Sequence, residues 1–277
     1  MNGAQGALLE WSCRHRRELP WRRTRDPWAV LVSELMLQQT QVPRVVPRFH
    51  AFLARFPTVP ACAAAPVGEV VRLWHGLGYN RRAVHLHRAA AEMAERHGGE
   101  VPATLDELLA LPGIGPYTAR AVLAFAHGAD LGVLDVNTAR VLARAWGSSA
   151  QPVADAAVPA GRGWEWNQGM LDLGATVCTR RSPRCDACPI AGSCSWRAAG
   201  YPEPDPAAPA GRQSTFVGSD RQGRGRLVAA LRLGPLPTAA LADAAGWPDD
   251  PGRARRVAAS LVADGLAVDD GQLLRLP

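Results

Sequence analysis

The sequence predicts an all-α protein. From Ala4 to about Ala199 the apolar residues recur at helical spacing, as in Val30, Leu31, Leu35 and Leu37, then Val70, Leu73, Trp74 and Leu77, then Leu105, Leu108, Leu109 and Leu111. Sustained period-two runs, the mark of half-buried strands, are scarce. Proline and glycine fall between the periodic runs at Pro27, Pro43, Pro66, Gly98-Gly99 and Pro112-Gly113. They divide the stretch into roughly ten short helices joined by tight turns.

The N-terminal stretch Met1–Pro20 is amphipathic and carries arginine and glutamate, with no apolar run followed by a cleavage site, so export is not expected. The nearest approach to a membrane span, Val122–Leu134, is broken by His127 and Asp130. A soluble cytoplasmic protein, in the bacterial cytosol or nucleoid, and a monomer are the expectations. The net charge is +6 over 277 residues, and all of the cationic charge apart from histidine is arginine because the chain contains no lysine. That balance favours a polyanionic partner, nucleic acid or a membrane surface.

Between two predicted helices lies Leu111-Pro112-Gly113-Ile114-Gly115, with Pro116 placed as the first residue of the second helix. Gly113 and Gly115 let the chain turn without a Cβ clash, and the outward-pointing amides with the helix N-terminus form a site for an anion such as a DNA phosphate. Such a hairpin grips a backbone and reads no sequence. Some twenty residues on, Leu134-Asp135-Val136-Asn137 precedes the helical run Thr138–Trp146, where Asp135 on its own reads as an N-cap.

Cys178, Cys185, Cys188 and Cys194 follow with the spacing C-x6-C-x2-C-x5-C. Four thiolates on one loop suit tetrahedral zinc or a [4Fe-4S] cluster. Structural zinc sites pair two tight hooks and only one is present here, so the spacing favours the cluster. Two disulfides would need an oxidising compartment that nothing else in the sequence suggests. Cys13 and Cys62 are expected to be reduced and structural.

Tyr201–Gly211, YPEPDPAAPAG, reads as a linker, with residues 201–213 joining a domain of residues 1–200 to a module of residues 214–277. The larger domain is expected to have a six-helix lobe at about residues 25–130 and a cluster lobe from residues 1–24 and 131–200. In the module, Arg224–Leu233, Thr238–Ala245 and Arg253–Asp264 look helical, and Leu266–Pro277 alternates around Asp269-Asp270-Gly271 like a hairpin. That is the order of a winged helix; a small helical cap is the plainer alternative.

The hairpin, the aspartate one short segment later and the cysteine loop together resemble the helix-hairpin-helix superfamily of base-excision DNA glycosylases, over about residues 8–200. Within it the chain is similar to the MutY-type adenine glycosylases in Leu19-Pro20-Trp21-Arg22, in the segment SELMLQQTQV from Ser33 to Val42, in LWHGLGY from Leu73 to Tyr79, and in MLDLGA from Met170 to Ala175. The resemblance implies a two-lobed glycosylase fold with a [4Fe-4S] cluster on the four cysteines, acting on double-stranded DNA that carries adenine opposite 8-oxoguanine or guanine.

By the same resemblance Glu34 is the general acid toward adenine N7, and its apolar helix should keep it protonated. Asp135 stabilises the cationic sugar, with Asn137 and Tyr117 beside it. Gln38, Gln39, Thr40, Leu77 and Tyr79 belong to the contacts with the opposite purine and the wedge, and Trp21 and Arg22 to the adenine pocket. Gly113 and Gly115 grip phosphate, and Arg180, Arg181 and Arg184 offer a basic surface on the cysteine loop.

Two features depart from the family. Asn80 stands where many relatives have a second tyrosine, and the longer C-terminal domain that recognises 8-oxoguanine has no counterpart in the sequence. Tyr117 occupies the position where bifunctional relatives carry a Schiff-base lysine, and in a lysine-free chain a side-chain amine cannot do that chemistry. A monofunctional enzyme is expected. The alternatives are a thymine or uracil glycosylase acting on T:G and U:G mismatches, against which Gln38-Gln39-Thr40 argues, and a cluster-bearing DNA-binding regulator without catalysis.

Overall fold

The computed structural model describes residues 3–207 and 215–277. Among these the order is α1 (Gly3–His15), α2 (Pro27–Leu37), α3 (Val42–Arg55), α4 (Val59–Ala63), α5 (Val67–Leu73), α6 (Arg81–Arg96), α7 (Leu105–Ala110), α8 (Pro116–Phe125), α9 (Val136–Trp146), α10 (Gln151–Ala157), α11 (Gly163–Thr176) and α12 (Ser195–Ala198). Then come α13 (Asp220–Leu233), β1 (Leu236–Pro237), α14 (Leu241–Ala245), α15 (Pro251–Ala263), β2 (Val268–Asp269) and β3 (Leu273–Arg275). The all-α expectation holds, with a small C-terminal sheet. Among the described residues no helix is long and apolar enough to cross a membrane.

Local chemistry starts and stops these helices. Thr58 caps α4 by accepting from Ala61 N, Ser219 caps α13 and Asp250 caps α15, while Pro116 and Pro251 open α8 and α15, where a missing N–H costs nothing. Gly147 ends α9 in the left-handed conformation, φ 77°.

The chain divides into two compact units. One comprises residues 1–31, 103–109 and 114–211, the other residues 32–102, 110–113 and 212–277. In the first, α1 and α9 pack on α11 around Leu8, Leu9, Leu142, Trp166, Met170 and Leu173, and this core reaches Val177, Ile190 and three of the cysteines, Cys178, Cys188 and Cys194. Trp146 and Trp166 meet there with ring centroids 6.3 Å apart.

In the second, α4 and α5 pack on α6, and Phe52 lies edge-on to both Phe56 and Trp74. Burying side chains of this size stabilises the unit by about 1.5–3 kcal/mol each. Cys62 is buried here, and burial pushes its thiol up to about 12, which leaves it inert.

The C-terminal part of the second unit is a winged-helix-like module. Helices α13, α14 and α15 pack on one another around Leu227, Leu231, Leu241, Val257 and Leu261. The expected hairpin is β2–β3, and β1, too short to signal itself in the sequence, completes an antiparallel sheet of order β1-β3-β2 through Leu236 opposite Leu274. Of the expected linker, residues 208–213 lie outside the described residues, as does residue 214 at the start of the module. Residues 201–207 are tied to the first unit: Tyr201 lies edge-on to Trp196, and Asp205 pairs with Arg144.

Candidate active site and cluster loop

Helices α7 and α8 and the turn between them form the expected hairpin. Leu111 and Ile114 are buried and anchor it, while Gly113 is exposed at φ 78°. Only glycine suits that position, because a Cβ there would sit 2.5 Å from the Cβ of His85. Gly115 is the N-cap of α8, Pro116 follows it, and Tyr117 is half-buried in the first turn. The first amides of α8 have no partner within the helix and carry the positive end of its dipole.

Asp135 is indeed an N-cap, of a demanding kind. Its Oδ1 accepts from the backbone N–H of Asn137 at 2.9 Å and of Thr138 at 2.7 Å, and its Oδ2 accepts from Asn137 Nδ2 at 2.8 Å. Its own N–H donates to Thr138 Oγ1 at 2.8 Å, closing a capping box. Three donors therefore fix one carboxylate, and the next residue, Val136, is 80% exposed. Asn137 Oδ1 in turn accepts from Arg140 Nη2 at 2.9 Å, and Arg140 also donates to Gly174 O at 2.7 Å and Cys178 O at 2.8 Å. Asp135 is thus joined to the first residue of the cysteine loop by two side chains.

In the second unit Glu34 lies on α2 and is 4% exposed, among Val32, Leu35 and Met36. The following loop carries Gln38, Gln39 and Thr40, with Gln39 at φ 54°. Leu77 is buried, and Tyr79, at φ 44°, is 46% exposed. Arg82 binds the two loops together. Its Nη1 donates to Leu35 O at 2.7 Å, Met36 O at 3.0 Å and Gln38 O at 2.6 Å, and its Nη2 to Thr40 Oγ1 at 3.0 Å, Leu77 O at 3.2 Å and Gly78 O at 3.0 Å. Burial pushes this guanidinium down to about 10, so it remains a cation at neutral pH.

Trp21 is buried in the first unit. Arg22 is committed to the carboxylate of Asp172, with Nη1 2.7 Å from Oδ2 and Nη2 3.0 Å from Oδ1, while Arg17 Nε lies 2.5 Å from the same Oδ1. Burial would raise the Asp172 carboxyl, yet the hydrogen bonds and charge of Arg22, and then of Arg17, hold it below the usual carboxylate value.

All six cysteines are free, and the four of the loop line one cavity together with Arg144, Val177, Ile190's neighbour Ala191 and Trp196. Among the described residues no three ligands converge on a single-ion point, which is the arrangement a cluster with separated corners needs and a lone zinc does not. Burial pushes the Cys188 thiol up to about 11, to which the crowding of Cys178, Cys194 and Cys185 adds, and burial raises Cys178 as well. Four crowded thiols fit a group that would bind them as thiolates.

Arg144 secures the loop from inside. It donates to Thr179 O at 2.8 Å and Arg180 O at 3.1 Å, contacts Cys178 Sγ at 3.5 Å, and pairs with Asp205 at 2.5 Å. Arg180 and Arg181 are exposed, and exposed Arg184 donates to Thr176 O at 2.6 Å. Arg82, Arg140, Arg144, Asp172 and Asp205 were missed as site residues by sequence reasoning. The available signal was periodicity: Arg82 falls on the apolar stripe of α6 with Leu86, Ala89 and Met93, and Arg140 and Arg144 follow Asn137 at helical spacing.

A helix-hairpin-helix followed by a capped aspartate and a four-cysteine loop defines the class of base-excision DNA glycosylases. Residues 32–158 match the HhH-GPD superfamily of base excision DNA repair proteins, and residues 178–194 match the iron-sulfur binding domain of endonuclease III. Adenine DNA glycosylase of Mycolicibacterium smegmatis is 44% identical over 269 residues, spanning 94% of this chain and 90% of that protein. The human adenine DNA glycosylase is 39% identical over 70% of this chain, which covers 39% of the human protein. A thermostable thymine-DNA glycosylase of solved structure superposes with a TM-score of 0.67 at 30% identity, covering 70% of this chain and 95% of that one. The chain belongs to the adenine DNA glycosylase family and is a [4Fe-4S] enzyme of base-excision repair.

Proposed function

We propose that this glycosylase removes adenine paired with 8-oxoguanine or guanine in duplex DNA, by hydrolysis of the N-glycosidic bond and without cutting the strand. The observation that carries the reading is the contrast between two carboxyl groups, Glu34 buried in an apolar helix and Asp135 held by three N–H donors. Breaking an N-glycosidic bond needs a proton for the leaving base and negative charge beside the oxocarbenium-like sugar, so two carboxyls in opposite surroundings suit it.

Glu34 delivers the proton to adenine N7, and Asp135, oriented by Asn137, stabilises the sugar cation until water adds to it. Tyr117 lines the sugar side. The target base must first leave the stack, at a cost of a few kcal/mol that a mispair lowers. Leu77 and Tyr79 fill the gap, with Gln38, Gln39 and Thr40 against the opposite purine and Trp21 and Arg22 framing the adenine. The hairpin at Gly113 and Gly115 and the arginines Arg180, Arg181 and Arg184 hold phosphates. Cys178, Cys185, Cys188 and Cys194 hold the cluster, which keeps their loop folded. Residues 1–200 form the glycosylase domain and residues 214–277 an appended module, in a monomer acting in the cytosol or nucleoid.

Single-turnover base release from duplexes carrying 8-oxoG:A, G:A, T:G and U:G, with alkali to reveal abasic sites, tests this. Adenine release opposite 8-oxoguanine, with nicking only after alkali and no borohydride-trapped adduct, is expected. Release of thymine or uracil instead would move the enzyme to the mismatch reading, which the thymine-DNA glycosylase likeness favours.

A further inference from the structure

Asn80 follows the exposed Tyr79 and is the N-cap of α6, a position where asparagine ordinarily caps the helix with its side chain. Here it makes no cap hydrogen bond. Its Oδ1 instead accepts from Nη2 of Arg232 at 2.8 Å, and Arg232 Nε donates to Val71 O at 3.0 Å. Arg232 is in the last turn of α13, in the C-terminal module.

Three further contacts tie the same module to the same stretch. Gly68 N donates to Pro277 O at 3.0 Å, and a Cβ at Gly68 would stand 2.5 Å from that oxygen. Asp264 at the end of α15 pairs with Arg81 at 3.5 Å as well as with its own module's Arg224 at 2.5 Å. A Cβ at Gly265 would come within 2.7 Å of Arg88 Nη2 and 3.4 Å of Val84 Cγ1. The module therefore frames residues 68–88, with the loop of Leu77 and Tyr79 at the centre of the frame. That loop places Gly76, Gly78 and Tyr79 at positive φ, and for tyrosine the left-handed region costs about 1–2 kcal/mol. Such a conformation persists only where its surroundings hold it.

As a duplex-reading module the C-terminal part is poorly equipped. Residues 215–277 carry eight arginines against seven aspartates, with no lysine or glutamate. Of the arginines on α15, Arg253 is already engaged with Asp220, Gly218 O and the ring of Trp247.

We propose that the C-terminal module positions the opposite-base loop, with Arg232 as its positioning residue: by holding Asn80 and Val71 it fixes Tyr79 in place and so sets how sharply the enzyme distinguishes the base opposite adenine. This rests on the reading of Leu77 and Tyr79 as opposite-base residues.

The test uses the whole, cluster-loaded chain and the variants Arg232→Met, Arg232→Lys, Asn80→Ala and Arg232→Met/Asn80→Ala. Half-saturating concentration and saturated rate are measured in single-turnover adenine excision opposite 8-oxoguanine and opposite guanine, with thermal melting alongside. Arg232→Met should shrink the preference between the two duplexes by about tenfold, or 1.4 kcal/mol, with the saturated rate on the better duplex changed less than twofold. Asn80→Ala should match it, the double variant should be no worse than either single one, and Arg232→Lys should recover part of the preference. An unchanged preference, additive effects, or an equal loss on both duplexes that follows the melting temperature would overturn the proposal.

Tyr79→Ala separates the two levels. If it collapses the preference while Arg232→Met does not, only the positioning role fails. If it leaves the preference intact, or the wild type shows none, the reading of the loop fails and the proposal with it.

Discussion

Arg82 receives no substrate in the proposed reaction, yet six main-chain carbonyls and a hydroxyl surround its guanidinium, from Leu35, Met36, Gln38, Thr40, Leu77, Gly78 and Tyr79. A lysine keeps the charge but offers a compact ammonium with three donors in place of a planar fork with five. Arg82→Lys should therefore strand several buried carbonyls. We expect a loss of about 2–3 kcal/mol of stability in denaturant unfolding, with weakened binding of the mispaired duplex; a variant as stable as wild type would contradict this account. Sequence periodicity placed Arg82 on the buried stripe of its helix, but arginine there is indistinguishable from a charge at the margin of the stripe until its partners are known. Those partners lie up to 47 residues away. Glu34 was easier to place, because its immediate neighbours in α2 are nearly all apolar.

At the scale of elements, the hairpin and α9 were legible because each is written in consecutive residues: two glycines and a proline for the turn, an aspartate before a helical run for the cap. The strand β1 was not, since two residues carry no periodicity and its pairing with β3 is decided by residues almost 40 positions later. The hairpin's requirement for glycine has a direct consequence. Gly113→Ala adds a Cβ to a residue at φ 78° and drives it into His85. Stability should fall by about 1–2 kcal/mol from the backbone alone. DNA affinity should fall with it, measured by titration at two salt concentrations, while the rate at saturation is retained. Loss of rate with unchanged affinity would assign the turn a role in the chemistry instead.

For the whole molecule, Asp172 connects residues more than 150 positions apart, joining Arg17 and Arg22 to α11. The carboxyl is fully buried and held below its ordinary value of about 3.9. Because the unfolded chain takes up a proton at higher pH than the folded one does, the pair's contribution is complete above that ordinary value. It is lost as pH falls through the lower, folded value. Asp172→Asn should cost about 3–5 kcal/mol near neutral pH by leaving a buried cation under-compensated. The gap from wild type should close in strong acid. A gap that persists unchanged there, in unfolding curves taken across the range, would mean that packing and not charge sustains the link.

Arg144 has a consequence for how the molecule is made and broken down. Its one guanidinium holds the chain just after the first cluster cysteine, at Thr179 and Arg180, and again beyond the last, at Asp205. The cluster and this arginine therefore close the same stretch from two directions. A molecule that never receives its iron keeps only the arginine's hold on that stretch, so residues 178–205 become the place where a cell's proteases first find an opening, and incomplete cofactor loading is turned into removal of the protein.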